Sequence, residues 1–443
     1  DGLVPQLGLP KGGGALRGIG ERFDVNAFTG TGGLTIPVYS SPSRDGGPQL
    51  ALSYDSGAGQ GPFGLGMRLS PPSITRRTDR GLPRYLDRSE SDAFVWSGAD
   101  HLVPMLDAQG EARLQRSVTE DGEVHTVLAY RPRVEDGFAR IERWVPPGQG
   151  RSFWRVTDGN NVVSTYGRSP AAKISDPDAP HRVFTWLLER VEDDRGNIAV
   201  YEYAVENRAG VNTSAAWERS RGDAQANRYL KRIRYGNRTP FVADDFLFEV
   251  VFDYGEHGEL PAFDEPESEG LEISVDPTRP WAARPDPFSN YRATFEIRTY
   301  RRCQRVLMVH RFPELNDGQP TVVASTDLYY DDDPVTSKLV AATHRGYVFD
   351  PQTQRHAARA APPLQLEYQP RRLGQTQRSV DARSLGDLGA GLDADHLQLV
   401  DLDGEGLPGI LFADHAGGWR YKRPLGDGRF GAAALQHTVP SLA

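Results

Sequence analysis

LTIPVYSSPSRDGGPQLALSY, Leu34 to Tyr54, decides how the rest of the chain is read. Leu34, Ile36 and Val38 recur at every second position, and Leu50, Leu52 and Tyr54 repeat the pattern after a break. A period of two puts each trio on one face of a half-buried strand. Between them stand Asp45-Gly46-Gly47 and Pro48, residues that reverse a chain at little conformational cost. Moving outward, WRVTDGNNVVSTY turns at Asp158-Gly159-Asn160 and ERVEDDRGNIAVYEY at Arg195-Gly196-Asn197. FLFEVVFDY, ATFEIRTY, RVLMVHRF, TDLYY and PLQLEY follow, all rich in β-branched and aromatic residues. The best helical stretch, SAAWERSRGDAQANRYL, is polar on most faces and broken by Gly222, so it reads as a loop or one short helix. The fold class is all-β with long connections.

A chain of 443 residues suggests two or three domains, or fewer if it is all-β. The net charge of −9 offers no electrostatic footprint for nucleic acid or an anionic membrane. Cys303 is the only cysteine, which excludes intrachain disulfides and thiolate zinc sites. Beside the apolar run RVLMV it reads as a small core residue. The opening DGLVPQLGLPKGGGALRG lacks the apolar stretch of a signal peptide. Nor is there a run of the ~18 apolar residues that a spanning helix needs. Residues 1–22 are expected to be a flexible tail and 23–370 a β domain. The aromatic-poor stretch 371–394 is expected to be a linker, and 395–443 the first blade of a β-propeller. HLQLV, GILFA and GWRYK supply that blade's strands. A solitary blade leaves edges unpaired and faces uncovered, so the chain is expected to be the N-terminal piece of a longer protein.

No catalytic constellation emerges. The ten histidines are too widely spaced for an HExxH motif. GAGQG, Gly57 to Gly61, has the wrong spacing for a dinucleotide fingerprint and runs into Pro62. No serine sits in a GxSxG elbow. EPESEG, with Glu267 and Glu269, has the spacing of an acidic catalytic pair but reads as a solvated charge run in a loop without a strand. VDLDGEGLPGILF puts Asp401, Asp403 and Glu405 at positions one, three and five of a calcium-type loop. Its position nine is Gly409 and its position twelve Phe412, where an acid is wanted. The stretch therefore reads as a structural turn. The expectation is a non-enzymatic protein with no catalytic residues, no cofactor and no metal.

Phe23 to Tyr85, with GNIAVYEY, YLKRIRYGNRTP, FEVVFDYGEH and DPFSNYRATFEIRTYRRCQRVLMVHRFPEL, resembles the SpvB/TcaC N-terminal domain family. That family joins a Salmonella plasmid virulence protein to the B components (TcB) of insecticidal Tc toxin complexes. GNIAVYEY also echoes the YD repeats of Rhs shells, and VDLDGEGLPGILF the FG-GAP-like loops of a β-propeller. The TcB side of the resemblance implies a large β-sheet shell: a structural subunit walling a cocoon round a toxic cargo. Its propeller would dock on a pentameric TcA-like channel for translocation. A TcC-like subunit or C-terminal Rhs region would complete the shell, and the complex would be secreted. The SpvB side implies the N-terminal delivery domain of an ADP-ribosylating toxin. The absence of an Arg/Ser-Thr-Ser/Glu-x-Glu set, and the propeller-like sequence after 394, favour TcB. A carbohydrate- or surface-binding β module is a third class.

Overall fold

The computed structural model describes residues 20–436 apart from 27–30, 45–46, 70, 88–90, 97–100, 108, 111–112, 135–136, 149–150, 224, 370–378, 389–396, 404–405 and 415–417. Most of the expected N-terminal tail thus lies outside the described residues. The chain separates into two compact units, one running to Glu367 and one beginning at Tyr368.

The opening stretch forms the hairpin its alternation requires. A four-stranded antiparallel sheet takes the order β1 (Arg22–Asn26), β2 (Thr31–Val38), β3 (Leu50–Asp55) and β6 (Met67–Leu69). Ile36 faces Leu52 and Val38 faces Leu50 across β2 and β3. GAGQG falls in a β connection, leading into the two-residue strands β4 (Gln60–Gly61) and β5 (Gly64–Leu65).

The next strands are β7 (Ser73–Arg76), β8 (Phe94–Trp96), β9 (His101–Pro104), β10 (Gln115–Glu120) and β11 (Glu123–Pro132). They are followed by β12 (Arg140–Val145), β13 (Phe153–Thr157), β14 (Val163–Tyr166), β15 (Lys173–Ser175) and β16 (Val183–Glu192). Eight of them close into an antiparallel barrel, β7-β8-β9-β11-β12-β13-β14-β16 and back to β7. Eight strands leave an interior just wide enough for side chains to fill. Every wall strand contributes to it: Ile74, Phe94, Leu102, Tyr130, Ile141, Trp154, Val156, Tyr166, Val183, Trp186 and Leu188 pack together. Trp154 sits at the centre, its ring 4.8 Å from Tyr130, 5.0 Å from Phe94 and 6.1 Å from Trp186.

Strand β16 belongs to two structures. Its first half closes the barrel, and Arg190–Glu192 pair with the start of β17 (Ile198–Val205). From there an open sheet grows through β18 (Arg228–Asn237) and β19 (Phe246–Asp253). After β20 (Glu267–Leu271) and the small hairpin β21 (Phe288–Asn290) and β22 (Ile297–Thr299), the chain returns as β23 (Arg305–His310). A single helical turn α1 (Pro313–Asn316) precedes β24 (Thr321–Asp331), β25 (Lys338–Asp350), β26 (Arg355–Ala360) and the short β27 (Leu364–Gln365). The sheet order is β17-β18-β19-β23-β24-β25-β26-β20, with β27 beside β25. Val250, Phe252, Val306 and Met308 share a core with Ile36 and Leu52 of the small sheet. Val251, Leu307 and Val309 pack on the opposite face with Ile273, Val275, Val322 and Tyr347. Burial on both faces explains why FEVVFDY and RVLMV are continuous apolar runs rather than alternating ones.

One expectation is corrected and two are made more specific. EPESEG is not a loop: Glu267–Leu271 is β20, held on β26 by backbone pairing that its polar side chains do not advertise. An edge strand with exposed acids is a common way to block further pairing. Second, the shell-type sheet contains a closed barrel, fixed by pairings such as β9 with β11 that no local pattern encodes. Third, where a first blade was expected, the described residues show a single sheet and no propeller. The second unit holds one four-stranded meander, β28 (Leu397–Val400), β29 (Gly409–Ala413), β30 (Trp419–Gly426) and β31 (Arg429–Leu435). A propeller requires several such sheets round an axis. Within 371–394, the described residues include a 3-10 turn at Ala382–Leu385 bonded to the β30–β31 hairpin, with Asp381 N donating to Gly428 O at 3.0 Å. SAAWERSRGDAQANRYL forms turns as far as Ser220 and enters β18 at Arg228.

Candidate functional site

Polar chemistry in this molecule is concentrated inside the sheets. In the barrel, Arg76 on β7 alternates with the core residue Ile74, and Arg143 on β12 alternates with Ile141, so both guanidiniums point inward. Arg76 meets Asp87 at 2.8 Å and Asp92 at 2.7 Å, and Arg143 meets the second oxygen of Asp87 at 2.7 Å. The guanidinium carbons lie 5.4 Å and 5.0 Å from the Phe94 ring centre, close enough for cation–π attraction. Burial opposes ionisation of Asp87, yet Arg143 and Arg76 together hold its carboxyl below the usual range.

A second network lies on the β19-β23-β24-β25 face. Arg305 and Asp253 pair at 2.7 Å, and Arg345 and Asp327 at 3.0 Å, all four almost completely buried. The remaining guanidinium nitrogens donate to backbone carbonyls of the connection from β19 to β20. Arg305 reaches Glu259 and His257, and Arg345 reaches Glu265 and Ala262. The ion pairs therefore fasten a long covering loop whose carbonyls would otherwise be buried unpaired. Beside them, Lys231 Nζ donates to Glu256 and, at 2.7 Å, to His257 Nε2, while His257 Nδ1 donates to Ser274 O at 2.9 Å. Burial and the neighbouring Lys231 ammonium push His257 down to about 4, so the ring is neutral and the Lys231 contact is a hydrogen bond to its bare nitrogen.

A cleft of about 480 Å³ opens at the barrel mouth, among the β10–β11 turn, the loop before β13 and the segments flanking β15. Its acids are matched. Glu123 takes a bidentate contact from Arg151 at 2.6 and 3.0 Å, Glu120 meets Arg155 at 2.6 Å, and Asp121 meets Arg168 at 2.5 Å. Lys173 also lines it, and burial, against the field of Glu189, lowers its ammonium to about 8. The cleft is equipped to hold a polar ligand. Among the described residues that line it, no hydroxyl or thiol is hydrogen-bonded to a base.

The residues singled out from the sequence are not brought together. Cys303 is fully buried, and burial followed by the Asp253 charge raises its thiol well above the ordinary value. Glu267 is exposed and pairs with Arg359 at 3.4 Å. In the Asp401 loop, Asp401 accepts from Gly406 N at 2.7 Å and Asp403 meets Arg423 at 3.3 Å, while Glu405 lies outside the described residues. A Cβ on Gly409 would overlap the Tyr421 ring and the Lys422 carbonyl, so close packing accounts for a glycine there. Among the described residues, no group of three His, Cys, Asp or Glu side chains could hold a metal. Sequence reading missed Arg76, Arg143, Arg305 and Arg345, because an arginine on an alternating strand looks like its solvent face. The available signal was register: Arg76 keeps the parity of Ile74, and Arg305 that of Leu307.

These features define an almost all-β scaffold whose interior ion pairs serve the architecture. Residues 26–312 match the profile described as SpvB, Salmonella virulence plasmid 65kDa B protein, and the chain belongs to that family. It is 36% identical over 363 residues to the mono(ADP-ribosyl)transferase SpvB of Salmonella typhimurium, covering 79% of this chain and 58% of that protein. The Salmonella dublin protein matches to the same extent. The chain thus spans little more than half the length of these relatives. The solved N-terminal domain of effector protein SpvB from Salmonella typhimurium strain LT2 superposes with a TM-score of 0.64 at 36% identity, covering 71% of this chain and 98% of that domain. The TcdB2-TccC3 structure gives 0.77 at 32% identity, covering 100% of this chain and 21% of the other. The Photorhabdus luminescens Tc holotoxin pore gives 0.76 at 32%, covering 100% and 20%.

Proposed function

We propose that this chain is the N-terminal, non-catalytic delivery portion of an SpvB-type bacterial toxin, acting outside the cell that makes it and carrying an ADP-ribosylating region elsewhere in the full protein. The observation that carries this reading is that the chain contains a counterpart of nearly the entire solved SpvB N-terminal domain, 98% of it, at 36% identity. The sequence alone favoured the Tc-complex reading. Identity to the SpvB proteins, and a family profile reaching residue 312, weigh the other way. The physical design fits a carrier: most of its buried arginines are matched by internal carboxylates, and the cleft at the barrel mouth lacks a reactive pair.

One observation favours a second reading. The TcdB2-TccC3 likeness extends over the whole chain, the β28–β31 meander included. In that reading the chain walls part of a cocoon, its partner is a TccC3-like subunit, and the meander is one blade of a propeller that docks on a TcA-like channel. The test is transfer of label from biotinylated NAD to proteins of a host-cell lysate. The full-length gene product transfers label and the 443-residue chain alone does not. Transfer by the chain alone would overturn the non-catalytic assignment. A silent full-length product that co-purifies with a TccC3-like subunit would replace the first reading with the second.

A further inference from the structure

Between the small sheet, β16 and the start of β18 lies a second cleft, of about 250 Å³, distinct from the barrel mouth. Its walls include Leu69, Leu187, Tyr203, Tyr229 and Tyr254, and Arg228 is the one charged residue that lines it. The three tyrosines present carbon to the cleft, because each hydroxyl is already committed elsewhere. Tyr203 donates to Leu188 O at 2.7 Å, Tyr254 to Leu230 O at 2.9 Å, and Tyr229 to the buried carboxylate of Glu206.

Arg228, half-buried, differs from the buried arginines. Arg76, Arg143, Arg298, Arg301, Arg305 and Arg345 each meet a carboxylate. Arg228 has no carboxylate partner among the described residues. One terminal nitrogen bends back to the carbonyls of Gln225 at 3.3 Å and of Ala226 and Asn227, both at 3.0 Å, and its Nε, without a hydrogen-bond partner, is enclosed, which leaves the second terminal nitrogen as the one for an added ligand. Burial alone, with no acid to offset it, lowers its pKa from the ordinary value. A half-buried guanidinium without a carboxylate partner, beside aromatic walls, is stabilised when an anion replaces part of its lost hydration.

We propose that this cleft is a binding site for a small apolar carboxylate, whose ring or short alkyl chain packs among Leu69, Leu187 and the tyrosines while its carboxylate meets Arg228. A carboxylate is favoured over a phosphate because, with the tyrosine hydroxyls committed, the walls add to Arg228 only the Ser73 hydroxyl, too little to replace the hydration of a dianion. The cleft is smaller than the ~300–1,000 Å³ of drug-sized sites, which limits the ligand to about one ring.

Isothermal titration of the full 443-residue chain with 3-phenylpropanoate, and with its neutral amide, tests this directly. The carboxylate binds saturably with a Kd near or below about 1 mM, and the amide about tenfold more weakly, the size expected for one charge-assisted contact. Arg228→Gln abolishes that preference, and Arg228→Lys retains part of it. Equal affinity for the two compounds, no saturation by either up to about 10 mM, or a preference that survives in Arg228→Gln would each overturn the proposal. The comparison of the two ligands needs only the unmodified chain, so it stands even where a variant fails to fold.

Discussion

Arg305 lies buried against Asp253 at 2.7 Å, and its other nitrogens hold the carbonyls of Glu259 and His257. Removing such a cation leaves a carboxylate buried and uncompensated, which costs about 3–5 kcal/mol. Arg305→Met is therefore expected to lower stability by that amount in urea denaturation. Adding Asp253→Leu should not recover the loss, because Asp253 Oδ1 also accepts from the buried amides of Gly255, Glu256 and His257; a single-variant loss under about 1 kcal/mol would mean that the pair behaves like a surface one. Gly196 is a second decisive position. Its φ is +80° and a Cβ there would overlap the Phe241 backbone nitrogen and ring. Gly196→Ala combines left-handed strain with that overlap and is expected to cost about 1–3 kcal/mol in thermal unfolding. An unchanged midpoint would count against the packing of Phe241 on this turn. At this scale the sequence was legible where hydrophobicity decides, as at Cys303, and illegible where a buried partner does, as at Arg305.

At the scale of elements, one loop recurs. Asp158 Oδ1 accepts from the amides of Asn160 and Val162, and Asp193 Oδ1 from those of Arg195 and Asn197. In each loop the fourth residue, Asn161 or Gly196, takes a positive φ, and the first amide donates to the fifth carbonyl. Asp414 and Gly418 make the same end-to-end contacts. Asp193→Ala removes both side-chain acceptors and is expected to cost about 1–3 kcal/mol. Hydrogen exchange localises the effect: the Arg195 and Asn197 amides exchange faster, and those of Asn160 and Val162 do not. Uniform acceleration of both loops would show that the carboxylate is not a local clamp. These turns were visible in the sequence because Asp, Gly and Asn carry the geometry themselves. Strand β20 was not, since its pairing with β26 is a backbone matter and its side chains are those of a loop. Closure of the barrel was equally hidden, because β7 joins β16 across more than a hundred residues.

For the whole molecule, the buried histidines set an acid limit. Burial lowers the pKa of His257, His310, His344 and His356, and His257 falls to about 4 from an ordinary 6.5. His257 is enclosed by Lys231 and Glu256 on its flanks, Asp253 and Arg305 on the adjoining strands, and the Ser274 carbonyl. A base with a lowered folded-state pKa binds protons only in the unfolded chain between the two values. Its stabilising contribution is complete above pH 6.5 and is lost as the pH falls towards 4. For His257 the loss is roughly 2–3 kcal/mol. Urea midpoints should drop steadily from pH 7 to pH 4.5, and less steeply in His257→Gln. A flat profile across that range would contradict the buried neutral histidines. The carrier assignment is tested most directly by imaging the full-length gene product by electron cryomicroscopy. The closed barrel and its sheet are expected to form a discrete lobe, with the ADP-ribosylating region tethered outside it. Density showing the same residues as one panel of a continuous wall around enclosed cargo would contradict it.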